Sequence, residues 1–261
     1  MATSSRETTE DVVLKIYCSN LFPQEDPDTS LASLFGREEA PLYTEDLMSW
    51  TEVWAYWKLV CLQGSLVPRL CGAFMVKVPE EGRPANHFAV VITPVNGTSN
   101  ITRCRALGGL LNGNRRWYPL ARDLFKSVYQ FHRLGICNLD LRDENIRVVR
   151  SAGNTESLVF FDFASARPSS FGSSEQKTDV QDALDRDWWD LYTIIAEICV
   201  YRTKDGDIVA ADQRRWDFVK WLRKEHHRDE WLVAWDSRLD AMKPREGVVS
   251  TSTSRKDSTV S

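Results

Sequence analysis

The chain has 261 residues, 43% of them hydrophobic and 27% charged, so it can bury a sizeable core as one large domain or two lobes. Its 33 basic and 37 acidic residues give a net charge of -4, and no cluster of lysine and arginine stands out, which excludes an obvious nucleic-acid-binding surface. The start lacks the basic and apolar regions of a signal peptide, and no apolar run could span a bilayer. We therefore expect an intracellular protein, cytoplasmic or nuclear, with neither nucleic acid nor membrane as a partner.

The first half of the chain is predicted to hold three strands around one helix. Residues 1–10 are polar and expected to be disordered, and "DVVLKIYCS" then indicates a strand with Lys15 near its middle. A helix follows, in which large apolar residues recur at helical spacing: Trp50, Trp54, Trp57 and Cys61. We expect this stripe to pack into the core or between lobes, with Glu52 on a different part of the helix surface. "SLVPRLCGAFMVKV" and "HFAVVITPV" indicate two further strands.

The second half is predicted to be mainly helical, with one small hairpin. Apolar residues repeat at helical spacing over about residues 119–134, at Leu120, Leu124, Val128 and Phe131. "NIRVV" and "SLVFF" read as the hairpin, "DWWDLYTIIAEICVYR" as a central helix, and "QRRWDFVKWLRKE" as a more exposed one. This order predicts an α+β fold with two lobes, residues 11–95 and 96–243, and a disordered tail at 244–261.

Three polar residues lie in strongly apolar stretches of the second half. Asp140 and Asn145 fall within "GICNLDLRDENIRVV", and Asp162 falls within "LVFFDFASA". A buried carboxylate without a partner is costly, so this grouping indicates a shared cation. A loop that ends in Asn145 and an aspartate beyond a hairpin can bring two oxygen ligands to one Mg²⁺ ion.

The same grouping suggests a division of chemical roles. With Asn145 and Asp162 on the metal, Asp140 is free to orient or deprotonate an attacking hydroxyl. Lys15, far upstream on its strand, could neutralise nucleotide phosphates if Glu52 held it in place.

These motifs resemble those of the protein kinase-like superfamily. "NLDLRDEN" looks like the catalytic loop H-R-D-L-x-x-x-N, and "FDFA" looks like D-F-G. "VVLKIY" and "TEVWAYWKL" resemble the strand and helix that carry the paired lysine and glutamate, and "DRDWWDLYTIIAEI" resembles the central C-lobe helix with its buried aspartate, Asp187. The resemblance covers roughly residues 11–200 and is greatest to the kinase-like proteins common in fungi.

The resemblance implies a bilobal fold with a reduced β-rich N-lobe, and a phosphotransferase that uses ATP and magnesium on a hydroxyl of a protein or small molecule. It implies Asp140 as the catalytic base, and Asn145 and Asp162 as magnesium ligands. Lys15 would contact the nucleotide phosphates and Glu52 would pair with it. Ile92 would lie near the adenine, and the hinge from Thr93 to Val95 would offer backbone hydrogen bonds.

Four features depart from the kinase pattern. Residues 1–14 contain no glycine to form a glycine-rich loop, Asn138 stands for the usual histidine, and Ala164 stands for the D-F-G glycine. The segment between Asp162 and Asp187 is short and lacks A-P-E. The sequence therefore leaves open an active phosphotransferase, a pseudokinase that serves as a protein-interaction scaffold, and a true start upstream of Met1.

Overall fold

The computed structural model describes residues 11–18, 45–80, 83–108, 115–169, 177–202, 208–209 and 211–244. The fold is mixed α+β, which confirms the predicted class: a three-stranded sheet with one helix against it is followed by a mainly helical part. The expected disordered ends, 1–10 and 244–261, lie outside the described residues apart from Pro244.

The described part of the chain contains helices of up to 23 residues and strands of up to 11 residues. The helices are α1 (Glu45–Lys58), α2 (Asn100–Gly108), α3 (Tyr118–Arg133), α4 (Lys177–Cys199), α5 (Ala211–His226) and α6 (Glu230–Leu239). The strands are β1 (Val13–Tyr17), β2 (Leu70–Glu80), β3 (Arg83–Ile92), β4 (Thr98–Ser99), β5 (Ile136–Cys137), β6 (Ile146–Arg150), β7 (Glu156–Phe160), β8 (Arg167–Pro168), β9 (Tyr201–Arg202) and β10 (Ile208–Val209). In the described part of the chain, no helix has both the length and the apolar character needed to span a bilayer.

The N-terminal sheet has the order β1-β3-β2, and both pairs of strands are antiparallel. Lys15 lies opposite Val90 on the central strand β3. Side chains two positions apart on a strand share a face, so Lys15 and Tyr17 point to the same side of the sheet. That side faces α1, and the arrangement puts a charged residue of β1 next to the helix.

Helix α1 packs with a different face from the one that its tryptophans predict. Trp50 and Trp57 are 61% and 68% exposed, and Cys61 is also exposed. The buried face of the helix contains the polar residues Ser49 and Glu52, the small residue Ala55 and one large residue, Tyr56. The prediction of a buried stripe was therefore wrong for Trp50, Trp57 and Cys61, but Trp54 is partly buried and packs against the core. The prediction of Glu52 away from the packed face was wrong. Polar side chains can form a packing face where they find partners inside, and both polar residues do so here.

Helix α3 is the centre of the helical part and confirms the predicted helix there. Its four predicted core residues, Leu120, Leu124, Val128 and Phe131, are all buried. The second predicted central helix is α4, whose apolar residues Leu191, Ile195 and Ile198 are buried as well. Rings from α3, α4, α5 and α6 meet around Phe125, which contacts Trp188, Phe218 and Trp235.

The predicted hairpin is formed by β6 and β7, which pair antiparallel from Ile146 opposite Phe160 to Arg150 opposite Glu156. β4 pairs with β6 on the other side, and a separate small sheet joins β5 to β8. The hairpin begins directly after Asn145 and ends two residues before Asp162. Its pairing therefore fixes where both of these residues lie.

Candidate active site

Lys15 lies between two carboxylates that are distant from it in the sequence. Its Nζ is 3.0 Å from Glu52 Oε2 on α1 and 2.6 Å from Asp162 Oδ1, which follows the hairpin. Glu52 is 1% exposed, whereas the Lys15 and Asp162 side chains are about one-third exposed. The ion pairs therefore join the sheet, α1 and the helical part at one point, which opens to solvent on the Asp162 side.

The phenol of Tyr17 is a second donor to Glu52. Its hydroxyl donates to Oε2, the same carboxylate oxygen that Lys15 contacts. The Lys15 Nζ also lies 5.1 Å from the centroid of the Tyr17 ring, within range of a cation–π interaction. Two donors from one face of β1 thus converge on one buried carboxylate.

Burial and the charge of the carboxylates have opposite effects on the pKa of Lys15 and the same effect on the pKa of Tyr17. Burial lowers the pKa of Lys15, but the Glu52 and Asp162 carboxylates outweigh that effect and leave the pKa above its ordinary value. Burial raises the pKa of Tyr17, and the Glu52 carboxylate raises it further. Lys15 is therefore a cation and Tyr17 a neutral hydrogen-bond donor at neutral pH.

Asp140 is held by its own loop. Its Oδ2 accepts hydrogen bonds from Asn145 Nδ2 at 3.0 Å and from Arg142 Nη2 at 2.8 Å. The Asn145 amide also donates to the Asp140 backbone oxygen at 3.1 Å, and the Asp140 N–H donates to Asn138 Oδ1 at 3.3 Å. Asn138, which stands where the resemblance expects a histidine, thus takes part in the support of the loop.

Asn145 and Asp162 are brought together by the base of the hairpin. The N–H of Phe161 donates to the Asn145 backbone oxygen at 3.1 Å, so Asp162 directly follows a residue bonded to Asn145. Asp162 has a φ of 64°, in the left-handed region that aspartate enters more readily than branched residues do. The next residue, Phe163, is fully buried between the rings of Tyr56 on α1 and Phe131 on α3.

A cavity of about 430 Å³ links these groups. Lys15 and Tyr17 line it from the sheet, and Asp140, Arg142 and Asp162 line it from the loops of the helical part. Cations and carboxylates therefore face one another across a single space.

The donor atoms in this region fit a magnesium ion. Asn145 points its amide nitrogen at Asp140, which leaves its side-chain oxygen without a donor among the described residues. Asp162 uses Oδ1 for Lys15, and within the described ranges its second oxygen has no recorded partner. An amide oxygen and a carboxylate oxygen are hard ligands of the kind that magnesium prefers.

A buried aspartate supports the loop that carries Asp140. Asp187 on α4 is fully buried, as the resemblance implies, and accepts the N–H groups of Asn138 at 2.9 Å and Leu139 at 2.7 Å. Leu139 has a φ of 63°, an uncommon value for a bulky residue, and these bonds help to hold it. His132, Cys137 and Asp187 each offer an atom that could ligate a metal, and these atoms lie within 4.8 Å of one another. Because both Asp187 oxygens already accept hydrogen bonds, we assign this cluster to support of the loop.

The predicted hinge residues are not joined to this cluster by any contact recorded in the described ranges. Thr93 is bonded to Arg69 twice: its N–H donates to the Arg69 oxygen at 2.9 Å, and its hydroxyl accepts from the Arg69 N–H at 3.0 Å. Ile92 is buried at the end of β3, and Val95 is half-buried in the segment that follows. Their roles with a nucleotide stay predictions.

Two residues of the site were missed by the sequence analysis. Tyr17 could have been found from its position two residues after Lys15, which places both on one strand face. Arg142 could have been found from its position two residues after Asp140, within the loop. Neither residue stands at a position that the kinase motifs specify.

Comparisons with known proteins give little beyond this geometry. No family model matches the chain, and no curated protein matches it. Among solved structures, the chain is similar to one titled "WaaP in complex with acyl carrier protein", with 11% sequence identity and a TM-score of 0.44. The similarity covers 74% of this chain and 76% of that chain. A similarity of this degree does not show a shared family.

Proposed function

We propose that the chain is a kinase-like phosphotransferase that binds ATP with magnesium and transfers the terminal phosphoryl group to a hydroxyl acceptor. The observation that carries the proposal is the position of Lys15, which is 2.6 Å from Asp162 and 3.0 Å from Glu52 in the cavity that Asp140 also lines. A lysine paired with a helix glutamate and placed beside two aspartates is suited to phosphate binding. We also propose that the two lobes divide at residues 95 and 96.

Each residue has a proposed role. Asp140 would accept the proton of the attacking hydroxyl, and Asn145 and Arg142 would keep its carboxylate in position. Lys15 would move its charge from Asp162 to the nucleotide phosphates while Glu52 retains it near the cavity. Asn145 and Asp162 would hold magnesium, which supplies positive charge that neutralises the phosphates. The hinge from Thr93 to Val95 would bind the base.

A scaffold function is the second candidate. Trp50, Trp57 and Leu47 on α1 are large apolar side chains that remain substantially exposed. Contiguous exposed apolar surface often marks a site of protein interaction. The two candidates share the fold and differ in whether the cavity binds nucleotide and turns it over.

The first test is thermal unfolding with and without ATP and magnesium. A ligand that binds only the folded state raises the unfolding temperature, so we expect a magnesium-dependent increase for the wild-type chain and none for Asp162→Asn. Asp140→Asn should keep the increase, because the variant retains the proposed metal and phosphate ligands, but should lose phosphoryl transfer. Equal stabilisation of wild type and Asp162→Asn would contradict the metal assignment, and no shift at millimolar ATP would favour the scaffold.

A further inference from the structure

We propose that Tyr17 is a positioning residue of the nucleotide site: its phenol holds Glu52 in place, and Glu52 in turn holds Lys15 toward the phosphates. The inference rests on the proposed function and adds to it a residue that acts only through its neighbours. It is carried by the convergence of Tyr17 and Lys15 on the same oxygen of Glu52.

Glu52 has few other ways to be satisfied. It is 1% exposed and so lies away from bulk solvent, and among the described residues its recorded partners are Lys15 and Tyr17 of β1. An ionised carboxylate at such a position is costly unless donors surround it. Both donors lie on one face of β1, so the pairing register of that strand positions them together beside Glu52.

Lys15 divides its charge between two carboxylates, whereas the recorded hydrogen bond of the Tyr17 hydroxyl goes to Glu52. Lys15 lies closer to Asp162, at 2.6 Å, than to Glu52, at 3.0 Å. When Lys15 turns toward a phosphate, its contact with Glu52 weakens, and without Tyr17 the carboxylate would lose its remaining charge-assisted hydrogen bond. The phenol keeps Glu52 bonded throughout, so α1 stays docked and the lysine keeps its position at the cavity.

Tyr56, one helical turn after Glu52 on α1, provides a matched control for Tyr17. Tyr56 is also a fully buried tyrosine of this region, but within the described part of the chain its hydroxyl has no hydrogen-bond partner. Its ring packs edge-on against Phe163, with centroids 5.5 Å apart. Tyr17→Phe and Tyr56→Phe therefore remove the same atom from neighbouring buried sites, and only the first breaks a bond to Glu52.

The experiment measures dissociation constants of ATP, ADP and adenosine by titration calorimetry in the presence of magnesium. Loss of a hydrogen bond to a charged group corresponds to about tenfold in an equilibrium constant or more. We expect Tyr17→Phe to weaken ATP and ADP about tenfold and to leave adenosine unchanged, because adenosine has no phosphate for Lys15 to contact. Tyr56→Phe should leave all three constants unchanged. Unfolding temperatures without ligand show whether each variant is folded.

The outcomes separate the two proposals. Equal ATP affinity for wild type and Tyr17→Phe overturns the positioning role alone, and so does an equal loss for adenosine, since that indicates general damage. Should Tyr17→Phe fail to fold, Glu52→Gln keeps an acceptor for the phenol but removes the charge that attracts Lys15. It should weaken ATP and ADP selectively, and unchanged ATP affinity would again overturn the role. A wild-type chain that binds no nucleotide overturns the proposed function, and the positioning role with it.

Discussion

His132 on α3 and Asp187 on α4 are joined by a hydrogen bond of 2.8 Å between His132 Nε2 and Asp187 Oδ2. The same carboxylate accepts two backbone N–H groups of the loop that leads to Asp140. One buried side chain therefore connects two central helices to the loop that carries Asp140.

We expect Asp187→Ala to destabilise the protein strongly. The substitution leaves two backbone N–H groups and the His132 ring nitrogen without their acceptor, which typically costs about 3–5 kcal/mol in the free energy of unfolding. Denaturant unfolding measures it. The matched control is Asp236→Ala, whose exposed carboxylate pairs with Arg223 at 2.7 Å and should cost less than about 1 kcal/mol. Similar losses for both variants would contradict the supporting role of Asp187.

Asp190 on α4 should make stability depend on pH. Burial raises its pKa to about 6, with the Asp187 charge adding to the effect, although Arg186 and the Leu141 N–H act in the opposite direction. The folded protein thus binds a proton more tightly than the unfolded chain, so stability falls as the pH rises from about 4 to about 6.

Asp190→Asn removes that titration and can still accept the Leu141 N–H. Relative to wild type, the variant should gain about 2 kcal/mol in unfolding free energy between pH 4 and pH 7. Chemical denaturation at a series of pH values tests this. Asp185→Asn, which removes one charge from the same helix, is the control. A constant difference between wild type and Asp190→Asn across the series would refute the prediction.

Arg142→Gln should reduce phosphoryl transfer with little effect on stability. The Arg142 side chain is largely exposed and bonds Asp140 at 2.8 Å inside the cavity, so its loss leaves the proposed base less well oriented. We expect about a tenfold decrease in the transfer rate and an unchanged unfolding temperature. Arg150→Gln, which loses an exposed pair with Glu156 on the hairpin, should retain the wild-type rate. A transfer rate equal to that of wild type in both variants would contradict the role of Arg142 in orienting Asp140.

The tryptophans of α1 should contribute little to stability despite their size. Trp57→Ala removes a side chain that is mostly exposed and should cost less than about 1 kcal/mol, because little apolar area returns to water. Trp117→Ala, at a fully enclosed position, should cost about 3–5 kcal/mol. Denaturant unfolding of the two variants provides the comparison, and the reverse order would show that the tryptophan face of α1 is buried in solution.

The sequence predicted elements best where hydrophobic periodicity and burial coincide. Helix α3 follows from its repeating apolar residues because those residues form the core. In α1 the spacing correctly predicted a helix but not its packed face. The buried side of α1 contains Ser49 and Glu52, and because both are polar, a hydropathy pattern does not identify that side as buried. Their hydrogen-bond partners, the helix backbone for Ser49 and β1 for Glu52, explain why they lie inside.

The residues of the candidate site were also predicted only in part. Motif spacing brought Lys15, Asp140, Asn145 and Asp162 into one hypothesis, and the structure places them around one region. The positions of Tyr17 and Arg142 place them beside Lys15 and Asp140, but a tyrosine or arginine there is ordinary until the structure shows its hydrogen-bond acceptor, and the sequence analysis missed both. The chemical roles of all these residues stay predictions.

The hairpin of β6 and β7 divides the site into two parts that are held by different elements of the fold. Asn145 and Asp162 both lie at the base of the β6–β7 ladder, next to the Ile146–Phe160 pair, and the Phe161 N–H bonds the Asn145 backbone oxygen, so their spacing is set locally. Lys15 reaches Asp162 from a strand 147 positions earlier in the chain. A hinge motion that separates the sheet from the helices would draw the lysine away and leave the oxygen ligands together. Such a motion would therefore change the proposed phosphate contact of Lys15 while the spacing of the two proposed metal ligands stays constant.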